Sequence, residues 1–128
     1  MADIVFLTME EVLEIHDDQI RRYGGGSGIR DGGLLQSAVA MPSMGFGEDY
    51  LHGDVYEMAA ACLFHIVRNH PFVDGNKRTG AVAAVVFLAL NGIELKADEE
   101  EFERVVRAVA EGVLGKDAVA EFLRDNCG

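Results

Sequence analysis

The amino-acid sequence predicts an all-α fold, a compact bundle of about six helices with a central buried helix and room for one small hairpin. Three observations predict it. Apolar residues recur at helical rather than alternating spacing over most of the chain. Cap residues stand where several of those stretches begin, at Thr8, Asp31 and Asp98. Only two prolines interrupt the chain, and no repeat or low-complexity linker divides it, so residues 1–128 fit one domain with its own core.

Taken in order, Thr8-x-x-Glu11 is a capping box, in which each side chain satisfies the other's backbone N–H. Val12, Leu13, Ile15 and Ile20 carry the first helix to about Tyr23, where Gly24–Gly28 stops it and begins a flexible turn. Asp31 opens a short second helix with Leu34, Leu35, Ala38 and Val39, ending near Pro42. "SMGFGEDYLHG" has no period and reads as an exposed loop or small hairpin. A third helix runs from about Asp54 with Met58, Ala59, Cys62, Leu63, Ile66 and Val67 on one face. It stops at or before His70, because Pro71 disfavours the α region there, and Asn69 is its expected C-cap.

The fourth helix starts at Gly75 or Asn76 and ends on a glycine cap at Gly92. It is apolar almost all round, which predicts that it is the buried central helix. "IELKA" is a short strand or extended connector. Asp98 caps a fifth helix with acids in its first turn and Arg104 and Arg107 later, matching the macrodipole. Lys116–Asn126 completes the set.

The net charge of −11 argues against sequence-independent binding to nucleic acid, which needs basic surface to displace counterions. The N-terminus lacks a basic region and turns acidic within ten residues, unlike a signal peptide, and the run Gly80–Leu90 is too short to span a bilayer. A cytoplasmic protein without a membrane or direct nucleic-acid partner is expected. Cys62 and Cys127 read as a buried thiol and a tail thiol, not as a disulfide framework.

Against that acidic background, "RNHPFVDGNKRTG" (68–80) concentrates cations at the start of an apolar helix. A helix N-terminus leaves N–H groups unsatisfied and favours anions, and Gly75 lets an anion approach the backbone. Asn76 can cap the helix or bond a phosphate oxygen. Lys77 and Arg78 lie in the first turn, where positive charge opposes the dipole unless an anion is bound. Arg68 either joins that cradle or binds an outside acid. Asp74 is a lone carboxylate of the kind that Mg²⁺ takes beside phosphates, and His70 can accept a proton from a hydroxyl. These are the parts of phosphoryl or nucleotidyl transfer. Such a loop taken alone is more often a solvated turn, with Phe72 and Val73 as core plugs; Phe72 is a core residue under either reading. His16 and His65 read as structural.

The same stretch resembles the signature of the Fic/Doc superfamily, His-x-Phe-x-Asp/Glu-Gly-Asn-x-Arg, at His70, Phe72, Asp74, Gly75, Asn76 and Arg78. "RDGGLLQSA" (30–38) and "FHIVRNH" (64–70) resemble the death-on-curing, or Doc, branch. The resemblance implies a toxin of a type II toxin–antitoxin system, with ATP as substrate and Mg²⁺ as cofactor. His70 would be the base, Asp74 the metal carboxylate, Gly75 and Asn76 the anion-binding turn, and Lys77 and Arg78 the phosphate-neutralising cations. Its implied partners are a small Phd-like antitoxin and elongation factor Tu, the protein substrate whose phosphorylation blocks translation. Lys77 stands where AMP-transferring relatives carry glycine, which favours the kinase reaction. The loop after the second helix would be a flap that docks the target. An AMP transferase and a catalytically silent antitoxin-binding or co-repressor module are the alternatives.

Overall fold

In a computed structural model describing residues 3–46 and 49–127, six α-helices form the protein: α1 (Met9–Tyr23), α2 (Gly32–Ala40), α3 (Val55–Asn69), α4 (Asn76–Leu90), α5 (Glu99–Ala110) and α6 (Lys116–Asp125). A 3-10 turn at Met41–Ser43 follows α2 and leads into two two-residue strands, β1 (Gly45–Phe46) and β2 (Asp49–Tyr50). They pair antiparallel, so of the loop and hairpin readings the hairpin is present, although its turn at 47–48 lies outside the described residues. No helix among the described residues is long and apolar enough to cross a membrane.

Local chemistry sets the helix starts. Thr8 and Glu11 form the complete capping box of α1. Asp31, Asp54 and Asp98 accept from the N–H groups of Leu34, Glu57 and Glu101 to cap α2, α3 and α5. These bonds satisfy donors that a helix cannot satisfy itself. At the other end of α4, Gly92 (φ 79°) donates to the Ala89 carbonyl and Ile93 to that of Leu88, so the predicted glycine cap is a Schellman turn. "IELKA" is extended, with an isolated bridge from Leu95 to Cys127.

The most enclosed helix is α3, not α4 as the apolar run suggested. Every residue from Met58 to Leu63 is buried, whereas α4 leaves Ala81, Val82, Val85 and Val86 only half covered. The reason is the number of sides from which each helix is covered: α3 packs against α2, α4, α5, α6 and the 3-10 turn, whereas α4 packs mainly against α1, α3 and α5. Ala59, Ala60 and Ala61 are fully buried and let those neighbours approach α3 closely. Gly80 does the same for α4: a Cβ there would sit 2.7 Å from Val67 Cγ2 and 3.2 Å from the Leu63 carbonyl oxygen. The two helices flanking the signature loop are thereby held in close contact. Cys62 is a free thiol within this core, where burial pushes its pKa up to about 12; Cys127 is a half-buried free thiol.

Candidate active site

The loop between α3 and α4 is built around one ring. Phe72 is fully buried and stacks on His16 of α1 at 3.8 Å between centroids, with 5° between the planes. The backbone oxygen of Asp74 lies 2.9 Å from His16 Nε2, which makes His16 a structural residue as expected. Val73, in contrast, is 59% exposed and plugs nothing. Asn76 closes the loop from inside. Its Oδ1 accepts from the Phe72 N–H at 3.0 Å and its Nδ2 donates to the Phe72 carbonyl at 3.1 Å. The buried amide is satisfied by these bonds, so the side chain neither caps α4 nor points at an anion. Its contribution is to hold the turn.

At the start of α4, Gly75 occupies the N-cap with φ 77° and no side chain caps the helix. Thr8, Asp31, Asp54 and Asp98 supply that cap for α1, α2, α3 and α5, whereas α4, like α6 at Gly115, starts without one and keeps open N–H groups and a positive dipole end. Lys77 and Arg78 follow in its first turn, and Lys77 is exposed. Arg78 is fixed: Nη2 donates to the Gly24 carbonyl at 3.0 Å, Nη1 to that of Gln19 at 3.4 Å, and the guanidinium lies 5.7 Å from the Tyr23 ring centroid. Lys77 and Arg78 also line a cleft of about 450 Å³ together with Tyr23, Phe102 and Val106. That volume lies in the range small-molecule ligands occupy.

Asp74 sits at the rim of this N-terminus. Its Oδ1 accepts from the Gly75 N–H at 2.8 Å and its Oδ2 from the Gly26 N–H at 3.2 Å. Those two donors, Gly75 first, and then the nearby Arg78 charge hold the carboxyl below its ordinary pKa. A carboxylate kept ionised, with one N–H on each oxygen and lone pairs to spare, fits Mg²⁺, a hard cation that takes one or two carboxylates and completes its shell with water and phosphate. Among the described residues, no group of three His, Cys, Asp or Glu side chains gathers to hold a metal.

The segment 24–28 is not the flexible turn its glycines suggested. It lies along the signature loop. Besides the bonds from Arg78 to Gly24 and from Gly26 to Asp74, the Val73 N–H donates to the Gly28 carbonyl at 3.1 Å, and Ile29 pairs with Phe72 in an isolated bridge. Glycine is required by contact: a Cβ on Gly25 (φ 116°) would stand 2.7 Å from Asp74 Oδ2. The clue in the sequence was the number of adjacent glycines, which signals close backbone approach as well as flexibility.

Three further positions are corrected or added. Arg68 is directed to the end of α5: its Nη1 donates to the Ala110 carbonyl at 3.1 Å, where carbonyls lack helical partners. The C-cap of α3 is His70 rather than Asn69, and His70 is exposed with φ 49° and ψ 56°. Arg30 donates from Nε to the His70 carbonyl at 2.6 Å and from Nη2 to that of Asn69 at 2.7 Å. His65 is half-buried, 3.4 Å from Lys116 Nζ; burial first and then the Lys116 charge pull its pKa down to about 4.

The loop thus places Asp74, Gly75, Lys77 and Arg78 at the start of α4, with His70 exposed at the end of α3. A family model for the Fic/DOC family matches residues 6–88. The chain belongs to the Fic/DOC family. It is 41% identical over 101 residues to the toxin Doc of Mycolicibacterium smegmatis, covering 77% of both chains. It is 31% identical over 118 residues to the protein kinase doc of Escherichia phage P1, covering 92% of both. The second alignment takes in nearly the whole bundle, so the Fic/DOC likeness extends well beyond the signature. Both relatives place the chain in the Doc branch.

Proposed function

We propose that this protein is the toxin of a type II toxin–antitoxin pair, an ATP-dependent phosphotransferase that phosphorylates a hydroxyl of elongation factor Tu and so blocks translation. The observation that carries the reading is the N-terminus of α4. It lacks a side-chain cap, bears two cations in its first turn, and has an ionised carboxylate at its rim. A helix start built this way favours an anion, and the carboxylate beside it suits an accompanying metal.

In this reading His70 takes the proton of the acceptor hydroxyl as its oxygen attacks the γ-phosphorus, and ADP departs. The first-turn N–H groups of α4, the fixed guanidinium of Arg78 and the exposed ammonium of Lys77 balance the phosphate charge. Asp74 is the residue that would hold Mg²⁺, which neutralises charge on the transferring phosphates when bound. Lys77, in the place where a glycine would leave open backbone, supports phosphate over AMP as the group transferred. The β1–β2 hairpin serves as the flap: Met44, Tyr50 and Leu51 are exposed there, and an extended target segment can add along its edge. A small Phd-like antitoxin is the neutralising partner, and the net charge of −11 suits a basic segment on it.

The test is incubation with Mg²⁺, elongation factor Tu and ATP labelled at either the γ or the α position. Label should pass to the factor from the γ position alone, and His70→Ala should abolish transfer without loss of helicity. Transfer of the α label would identify an AMP transferase. Absence of both, in a protein that still binds its antitoxin, would leave the silent-partner reading.

A further inference from the structure

His70 is the one residue other than glycine among those described that has a positive φ, and its conformation carries two separate costs. The left-handed region brings Cβ against the following carbonyl oxygen. The residue before a proline is driven toward extended backbone, and Pro71 follows directly. A conformation so disfavoured persists only where the surroundings over-determine it.

Those surroundings are supplied mainly by one residue. The Arg30 guanidinium bonds the carbonyls of Asn69 and His70 together, at 2.7 and 2.6 Å. The backbone N–H groups of Arg30 and Asp31 both donate to the Pro71 carbonyl, at 2.7 and 3.0 Å. Three successive carbonyls at the end of α3 are therefore taken by residues 30 and 31. At the end of α4 the corresponding work is internal, done by the Gly92 turn. The end of α3 has no glycine, and Arg30 provides from outside what glycine provides there, with a cation placed where the dipole favours it. Arg30 is itself exposed, with no share in the buried core.

We propose that Arg30 is a positioning residue for phosphate transfer: its guanidinium clamps the ends of Asn69 and His70, holds His70 left-handed, and so sets where the imidazole stands relative to the N-terminus of α4. This rests on the reading of His70 as the base. A planar fork can bond two carbonyls at once, which an ammonium cannot do with the same geometry.

The experiment compares wild type with Arg30→Ala, Arg30→Lys and His70→Ala, measuring transfer kinetics, ATP affinity and the NMR signature of His70. A positive φ gives a strong intraresidue cross-peak between the amide and α protons. Arg30→Ala should lose that cross-peak and lower kcat on the order of 10- to 100-fold, the scale of a small displacement of a reacting group. Its ATP affinity should stay within about twofold, since the N-terminus of α4 is untouched. Arg30→Lys should fall between, and added guanidinium ion should recover part of the Arg30→Ala rate. If Arg30→Ala keeps the wild-type kcat, the positioning role is wrong while the His70 reading stands. If it loses ATP affinity and thermal stability in parallel with rate, Arg30 is only structural and the proposal fails. If His70→Ala still transfers phosphate, the base assignment falls, and the role of Arg30 falls with it.

Discussion

Replacing Gly80 with alanine sets two effects of opposite sign against each other, and the structure decides between them. Glycine inside a helix costs roughly 1 kcal/mol relative to alanine, so propensity alone predicts that Gly80→Ala stabilises α4. The added Cβ, however, would lie 2.7 Å from Val67 Cγ2 and 3.2 Å from the Leu63 carbonyl oxygen, both on α3. Neither neighbour yields easily. A valine in a helix keeps one dominant χ1 rotamer, and a helical carbonyl moves only with its helix. Overpacking of this kind costs typically 1–3 kcal/mol, and a contact under 3 Å belongs at the upper end. The net expectation is destabilisation by about 1–2 kcal/mol, a fall in Tm of roughly 3–8 °C for a chain of this size. Urea unfolding followed by far-UV circular dichroism gives the free energy by linear extrapolation. Val67→Ala added to Gly80→Ala should cost less than the two changes separately, because removing Cγ2 relieves the clash. A Gly80→Ala protein more stable than wild type would refute the claim that α3 and α4 touch through this glycine.

Two further outcomes are expected. His65 is neutral in the folded state, its pKa pulled from 6.5 to about 4 by burial and then by Lys116, so its stabilising contribution is complete above pH 6.5 and is lost as pH falls toward 4. A drop of that size corresponds to at most about 3.4 kcal/mol; solvent screening of the half-exposed ring reduces this to roughly 1–2 kcal/mol. His65→Gln should flatten the stability profile between pH 6.5 and 4, and an unchanged acid slope would show that other groups cause it. Arg68→Ala should cost about 0.5–1 kcal/mol through the lost bond to the Ala110 carbonyl and leave the transfer rate unchanged. A large loss of rate would return Arg68 to the phosphate cradle.

The parts of this protein legible in its sequence are those fixed by neighbours a few residues apart. Thr8 with Glu11, Asp31, Asp98 and Gly92 act within one helical turn, so the ends of α1, α2, α5 and α4 could be placed. The uncapped, cation-bearing start of α4 was legible for the same reason, since its dipole and its charges are adjacent. What failed depended on distance in space. Arg68 sits two residues from His70, but helical geometry turns its guanidinium to the end of α5. Arg30 is 40 residues from the carbonyl it bonds, and no local pattern marks the pair. Asn76 looked like a cap or ligand because its amide suits both; only the fold shows Phe72 taking both of its hydrogen-bonding groups. The apolar run of α4 suggested the most enclosed helix, but enclosure depends on how many elements pack around a helix, and several of those around α3 come from distant parts of the chain.

The contacts between residues 24–31 and the signature loop also bear on the order in which the protein assembles. Arg78 and Gly24 are 54 positions apart, Gly26 and Asp74 are 48, and Arg30 and His70 are 40. The α3–α4 pair is contiguous in sequence and can dock early, but these bonds form only after the intervening chain has closed on itself, at an entropic cost that local pairing does not carry. Helical content and a competent centre are therefore separate milestones. A chain that has formed α3 and α4 without closing the larger loop holds every signature residue, yet Asp74 lacks its second donor and His70 its clamp. An incompletely folded copy is therefore expected to lack the proposed activity until the larger loop closes.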